Sequence, residues 1–134
     1  MPLENQLVEN GTPLPQTKFY VPGSVLSARF NADIPAANGM KEHTDIFFEN
    51  SPVFKLAPDA ATKGVRTIAW FDSNTPLRSG WAWGQDYLAN GVVAVEAKVG
   101  KGTALLYTPQ IIMRGLPHQT FKLLFNGIYY SVMQ

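Results

Sequence analysis

Val92-Val93-Ala94-Val95-Glu96-Ala97-Lys98-Val99-Gly100-Lys101-Gly102-Thr103-Ala104-Leu105-Leu106-Tyr107-Thr108 is the stretch that decides how the fold is read. Val93, Val95, Ala97 and Val99 alternate with Glu96 and Lys98, the period-two pattern of a strand with one covered face. Gly100 and Gly102 flank Lys101 and supply the positive φ angles of a tight hairpin. Thr103 to Thr108 is apolar on both faces, as expected of a covered central strand. From Thr120 onward, Phe121, Leu124, Phe125, Ile128 and Val132 recur at helical spacing as one apolar stripe. The expectation is a hairpin over 92–108 followed by a helix over 119–133, an α/β arrangement. Gly127 costs such a helix up to about 1 kcal/mol relative to alanine, and it is expected to permit close packing on the sheet.

Upstream, Val65 to Phe71 is rich in β-branched and aromatic residues and reads as a strand ended by Asp72-Ser73-Asn74. Shorter apolar runs at 19–21, 25–30, 45–48 and 52–56 are bounded by Pro, Gly and Asn. Pro76 to Gly84 reads as a loop carrying Trp81 and Trp83, and Gln85 to Leu88 as one helical turn. Residues 1–17 hold three prolines and little periodicity, so they read as a flexible tail or linker. Residues 18–134 then form a single α/β domain.

An apolar fraction of 46% is enough for a core and argues against disorder. The formal charge of +1, with signs interspersed, gives no field for nucleic acid or an anionic membrane. No run approaches the ~20 apolar residues of a membrane span, and no charged start leads into an apolar signal core, so a soluble chain is expected. With no cysteine, disulfides, thiolate metal sites and a cysteine nucleophile are removed together.

The remaining chemistry is sparse. Zinc hydrolysis needs about three protein ligands, and the only histidines, His43 and His118, lack ligand spacing. None of the serines sits in a Gly-x-Ser-x-Gly elbow, which leaves only a triad borrowing His118 and Asp72 as a hydrolase alternative. Gly100-x-Gly102 leads into a strand, so it is a turn and no phosphate loop. Asp45, Glu49, Asp72 and Asp86 are available as glycosidase-type carboxylates. Trp81 and Trp83 are read first as a hydrophobic plug and second as an exposed platform that would stack on a sugar ring. Arg78, Ser79, Arg114 and His118 complete the candidate ligand or interface residues, with the arginines read first as structural. Neither a cofactor nor a metal is expected.

Several of these segments carry a family resemblance. Arg78-Ser79-Gly80-Trp81, Gly100-Lys101-Gly102 and the run Arg114-Gly115-Leu116-Pro117-His118-Gln119-Thr120-Phe121-Lys122-Leu123-Leu124-Phe125-Asn126 resemble the C-terminal region of bacterial zinc-carboxypeptidase-like proteins. So do Phe19 to Ser24 and Phe47 to Phe54, which extends the resemblance over 18–134. Those proteins carry a glutamine-amidotransferase-like domain after the peptidase domain. The resemblance implies a flavodoxin-like three-layer domain with a mixed sheet, of which this chain is the latter half. It also implies a secreted or periplasmic parent. Active amidotransferases use a cysteine with a His and a Glu after a late strand. Here Thr108 stands at the His position and Gln110 at the Glu position. The resemblance therefore implies a non-catalytic accessory domain for interdomain packing or substrate presentation. Its partner would be a peptidase domain, with self-association through a bare sheet edge or face as a further expectation. A small-ligand or carbohydrate module using Trp81, Trp83, Arg78 and Arg114 is the alternative.

Overall fold

The computed structural model describes residues 3–109 and 121–133. Ten strands and one α-helix are found among them. These are β1 (Leu3–Asn5), β2 (Val8–Glu9), β3 (Thr12–Pro13), β4 (Ser24–Phe30), β5 (His43–Phe48), β6 (Phe54–Leu56), β7 (Val65–Trp70), β8 (Leu77–Ser79), β9 (Val92–Val99), β10 (Gly102–Tyr107) and α1 (Phe121–Met133). Eight strands form one sheet in the order β1-β6-β9-β7-β4-β5, with β10 added to β9 and β8 to β4. Every pairing is antiparallel.

This corrects the expected three-layer α/β domain. A parallel sheet needs crossovers of a dozen or more residues, usually helical. The connections here are loops, hairpins and single 3-10 turns at Pro35–Ala37, Ala61–Lys63 and Gln85–Leu88. A single helix covers part of one face. The described fold is mostly β, and the flavodoxin-like reading does not hold.

Two apolar clusters form. The larger contains Leu26, Ala28 and Phe30 of β4, Ile46 and Phe48 of β5, Ile68 and Ala69 of β7, and Leu123 of α1. Strict alternation along β4 and β5 directs these residues inward. The smaller joins Val65, Val92 and Val95 with half-buried Phe54, Leu56 and Trp70. Register shifts between Thr67 and Trp70, opposite β9, break the alternation. Val93 and Ala94 consequently enter the larger cluster, while Val92 and Val95 enter the smaller one. Glu96, expected on the uncovered face of its strand, is only 1% exposed.

The hairpin Val92 to Tyr107 is continuous in register from Gly102↔Val99 to Tyr107↔Ala94. Among the described residues β10 pairs only with β9, so it is an edge strand and not the expected central one. Helix α1 rests on the segment around Pro35–Ala37. Asn126 Nδ2 donates to the carbonyls of Ala36 (3.2 Å) and Asn38 (2.7 Å), and Lys122 Nζ to that of Gly39 (2.9 Å). A methyl group at Gly127 would sit 3.0 Å from Leu105 Cδ1, so the bare glycine lets the helix approach the sheet.

The apolar stripe of this helix is arranged against expectation. Leu123 is buried, while Phe125 (56% exposed), Ile128 and Tyr129 (69% exposed) point outward. Of the expected stripe, Phe125 and Ile128 lie away from the core, and Leu124 is half-buried.

Residues 3–17, expected as a tail, are built into the domain. Strand β1 pairs with β6, and β2 and β3 form a hairpin around Asn10 and Gly11, both at positive φ. Leu7 and Leu14 pack on the core. The Gln6 side chain donates to the carbonyls of Tyr87 (2.7 Å) and Ala89 (3.0 Å). An Asn-Gly pair favours two-residue hairpins because both positions accept left-handed backbone.

Candidate functional site

The loop after β8 carries the most unusual surface. Ser24 Oγ donates to the Trp81 carbonyl (2.8 Å) and accepts from the Trp81 amide (3.0 Å), fixing the backbone beneath the first indole. Two residues on, Tyr20 and Trp83 exchange both backbone hydrogen bonds at 2.9 Å, and Trp83 Nε1 donates to the Thr17 carbonyl at 2.7 Å. Ala82, between them, packs against the core. The backbone is thus pinned on both sides, yet Trp81 is 57% exposed and Trp83 51% exposed. Neither indole plugs the core. Tyr20 meets Trp81 edge-to-face, with ring centroids 6.3 Å apart.

Two glycines make this path possible. Gly80 has φ +98°, and a methyl group there would lie 2.6 Å from Ser24 Oγ. Gly84 has φ +75°, and a methyl group there would collide with the Lys18 carbonyl oxygen. Gly84→Ala adds left-handed strain to a backbone clash, and we expect it to cost at least about 2 kcal/mol. The measurement is denaturant unfolding alongside near-ultraviolet dichroism. An unshifted midpoint with unchanged Trp signals would contradict the Tyr20–Trp83 pairing.

Beside Tyr20 lies a cleft of about 270 Å³. Its polar wall is Asn5, Gln16, Asn50 and Ser51, and no charged residue lines it. Asn5 Oδ1 accepts from the Leu7 amide (2.9 Å), and Asn50 Oδ1 from the Val21 amide (3.4 Å). The nearby charges are paired, Lys18 with Glu9 at 2.8 Å and Arg78 with Asp45 at 3.2 Å. Arg78 is therefore an exposed ion-pair partner on β8, next to Ser79.

A second, larger depression of about 770 Å³ opens over the smaller apolar cluster, between the 55–61 segment and β7. Trp70, Val65 and Val92 contribute its apolar lining, and Lys55, Asp33 and Arg66 its charges. Arg66 Nη2 donates to Glu96 Oε2 at 2.6 Å. Glu96 Oε1 is buried with no hydrogen-bond partner among the described residues. Burial, and secondarily the charge of Glu96, raises the pKa of the Tyr107 hydroxyl above its ordinary value.

His43 is held by Asp72, with Nε2 2.7 Å from Oδ2, and Arg29 bridges Asp72 and Glu42 at 3.9 and 2.8 Å. The expectation of a triad from Asp72 and His118 meets an Asp72 already engaged by His43. Sequence reasoning missed both the His43–Asp72 contact and the amide cleft, since each joins residues about 30 or more positions apart. Thr108, at the position of an amidotransferase histidine, donates through its backbone N–H (2.9 Å) and Oγ1 (3.2 Å) to the Val93 carbonyl. Gln110, Arg114 and His118 lie outside the described residues. Among the described residues no three His, Asp or Glu side chains gather as a metal site, and no helix is long and apolar enough to cross a membrane.

Comparison with known proteins finds no match: no family model, no curated protein and no solved structure resembles the chain closely enough to assign it.

Proposed function

We propose that this chain is a non-catalytic accessory domain that docks through the outer face of α1 onto a peptidase domain of the same or a neighbouring polypeptide. The observation that carries the reading is the outward apolar stripe. A helix with apolar residues on both its inner and outer faces is normally covered on both. Here Leu123 packs on the core, while Phe125 and Tyr129 face outward. Large exposed apolar side chains grouped on one helix face mark an interaction surface. The choice of partner rests on the resemblance to the C-terminal region of zinc-carboxypeptidase-like proteins. In this arrangement the domain packs beside the peptidase or presents substrate to it, and the zinc chemistry belongs to the partner.

The test pairs this chain with the zinc-carboxypeptidase domain encoded in the same or an adjacent reading frame. Association is measured by calorimetry and light scattering. The double variant Phe125→Glu with Tyr129→Glu is expected to weaken association by about a hundredfold or more, since buried aromatic anchors carry most of an interface's energy. The folded monomer's melting temperature should stay within a few degrees. Unchanged association in the double variant sinks the assignment of this face. A concentration-dependent dimer lost in the same variant would assign the face to a second copy of this chain. Peptidase or glutaminase turnover by the purified chain, abolished by one substitution, would overturn the non-catalytic reading.

A further inference from the structure

We propose that the uncharged cleft beside Tyr20, together with the Trp81–Trp83 platform, forms one binding site for a neutral carbohydrate chain. The first observation is rigidity without burial. Two indoles more than half exposed stand on a backbone pinned by Ser24 and Tyr20, and the Trp83 indole is itself held by the Thr17 carbonyl. Holding large, half-exposed apolar side chains in one arrangement lowers the ordering cost of binding. Trp81 and Trp83 are two residues apart on a segment held by Ser24 and by the Tyr20–Trp83 bridge, which for extended backbone is on the order of 6–7 Å along the chain.

The second observation is the chemistry of the adjoining cleft. Asn5, Gln16, Asn50 and Ser51 offer amide and hydroxyl groups, and Tyr20 belongs to both the cleft and the platform. Asn5 and Asn50 use Oδ1 to brace backbone N–H groups, so each keeps its Nδ2 as a hydrogen-bond donor. A pyranose has matching features: an apolar C–H face for an aromatic ring and a rim of hydroxyls for amides.

Charge decides against the competitors. Single-stranded nucleic acid stacks on aromatic rings, but it requires a basic groove along its phosphates. Here Lys18 and Arg78 are each neutralised by a carboxylate, and no charged residue lines the cleft. A polyproline peptide also fits aromatic grooves, yet it offers few hydrogen-bonding groups to four amide and hydroxyl side chains.

The experiment titrates the intact chain with cellohexaose, xylohexaose, mannohexaose and chitohexaose, with a heparin hexasaccharide and decaproline as contrasts. Trp emission and calorimetry are the readouts. At least one neutral oligosaccharide is expected to give a saturating change. Trp81→Ala and Trp83→Ala should each weaken its affinity by about tenfold or more, the size expected of a central aromatic anchor. Trp81→Ala should melt close to the parent, and Trp83→Ala, which also loses the bond to the Thr17 carbonyl, should melt a few degrees lower while staying folded at the titration temperature. Phe125→Glu, on the docking helix and not among the residues lining the cleft, should leave sugar affinity unchanged, which separates this site from the interdomain reading. Three outcomes overturn the proposal. They are no response to any neutral oligosaccharide at millimolar concentration, preference for heparin or decaproline, and full affinity in both Trp variants.

Discussion

Phe48→Ala is expected to lower the stability of this domain by about 3–5 kcal/mol, the usual cost of emptying a buried phenylalanine site. Phe48 ends β5, is fully buried, and meets Phe71 edge-to-face with centroids 6.2 Å apart. The substitution removes that aromatic contact and leaves a void that the antiparallel pairs on either side of β4 cannot close without shifting register. A domain of this size is stable by about 5–15 kcal/mol, so the loss is a large fraction of the whole. The midpoint of thermal unfolding should fall by on the order of 10 °C. Phe48→Leu keeps most of the volume and is expected to cost less than about 1.5 kcal/mol. Equal, small effects of the two substitutions in urea unfolding would mean that β5 does not close this core.

Arg66→Ala is expected to be nearly as damaging, for an electrostatic reason. Glu96 is almost completely buried, Arg66 Nη2 donates to its Oε2, and its Oε1 has no hydrogen-bond partner among the described residues. Removing the guanidinium leaves a buried carboxylate uncompensated, which costs about 3–5 kcal/mol for fully buried pairs. Arg66 is half exposed, so water replaces part of what is lost and about 2–3 kcal/mol is the better expectation. Arg66→Ala combined with Glu96→Leu removes both halves, and it should recover to within about 1 kcal/mol of the parent. Unfolding of the two single variants and the double variant gives the coupling directly. An additive double variant would show that the pair contributes nothing to the fold.

Strand positions were readable where local pattern suffices. Val65 to Trp70 and the Gly100–Gly102 hairpin announce themselves through β-branched residues and turn glycines. The layering was not readable, because apolar runs and turn signals occur equally in sheets with few helices and with many. The resemblance to an amidotransferase-like region suggested three layers, and the antiparallel pairings overrule it. Periodicity shows that a face is apolar without showing what covers it, which is why the stripe through Phe125 and Ile128 was legible and its outward direction was not. Glu96 was misplaced for a related reason. Alternation assigns faces only in an unbroken ladder, and the shifts near Ile68 break it. The Asn10-Gly11 turn was a local signal that proline content obscured. Of the candidate site, Trp81 and Trp83 were named from sequence, but the amides beside them come from positions up to 45 residues apart in the chain (5 and 50) and meet only in three dimensions.

The placement of β1 has a temporal consequence. Its partner β6 lies about fifty residues later, and the Gln6 side chain waits for carbonyls 81 and 83 positions downstream. A chain emerging from the ribosome thus delivers its first strand long before the groups that receive it. Contacts so distant in sequence carry a loop-closure cost that local hairpins avoid, and they slow the acquisition of structure. The β9–β10 hairpin, joined by the two-residue turn Gly100-Lys101, is able to form early, whereas β1 closes the sheet late. Until then the β6 edge stands open, and that interval is when a nascent or refolding chain is most exposed to pairing with a neighbour.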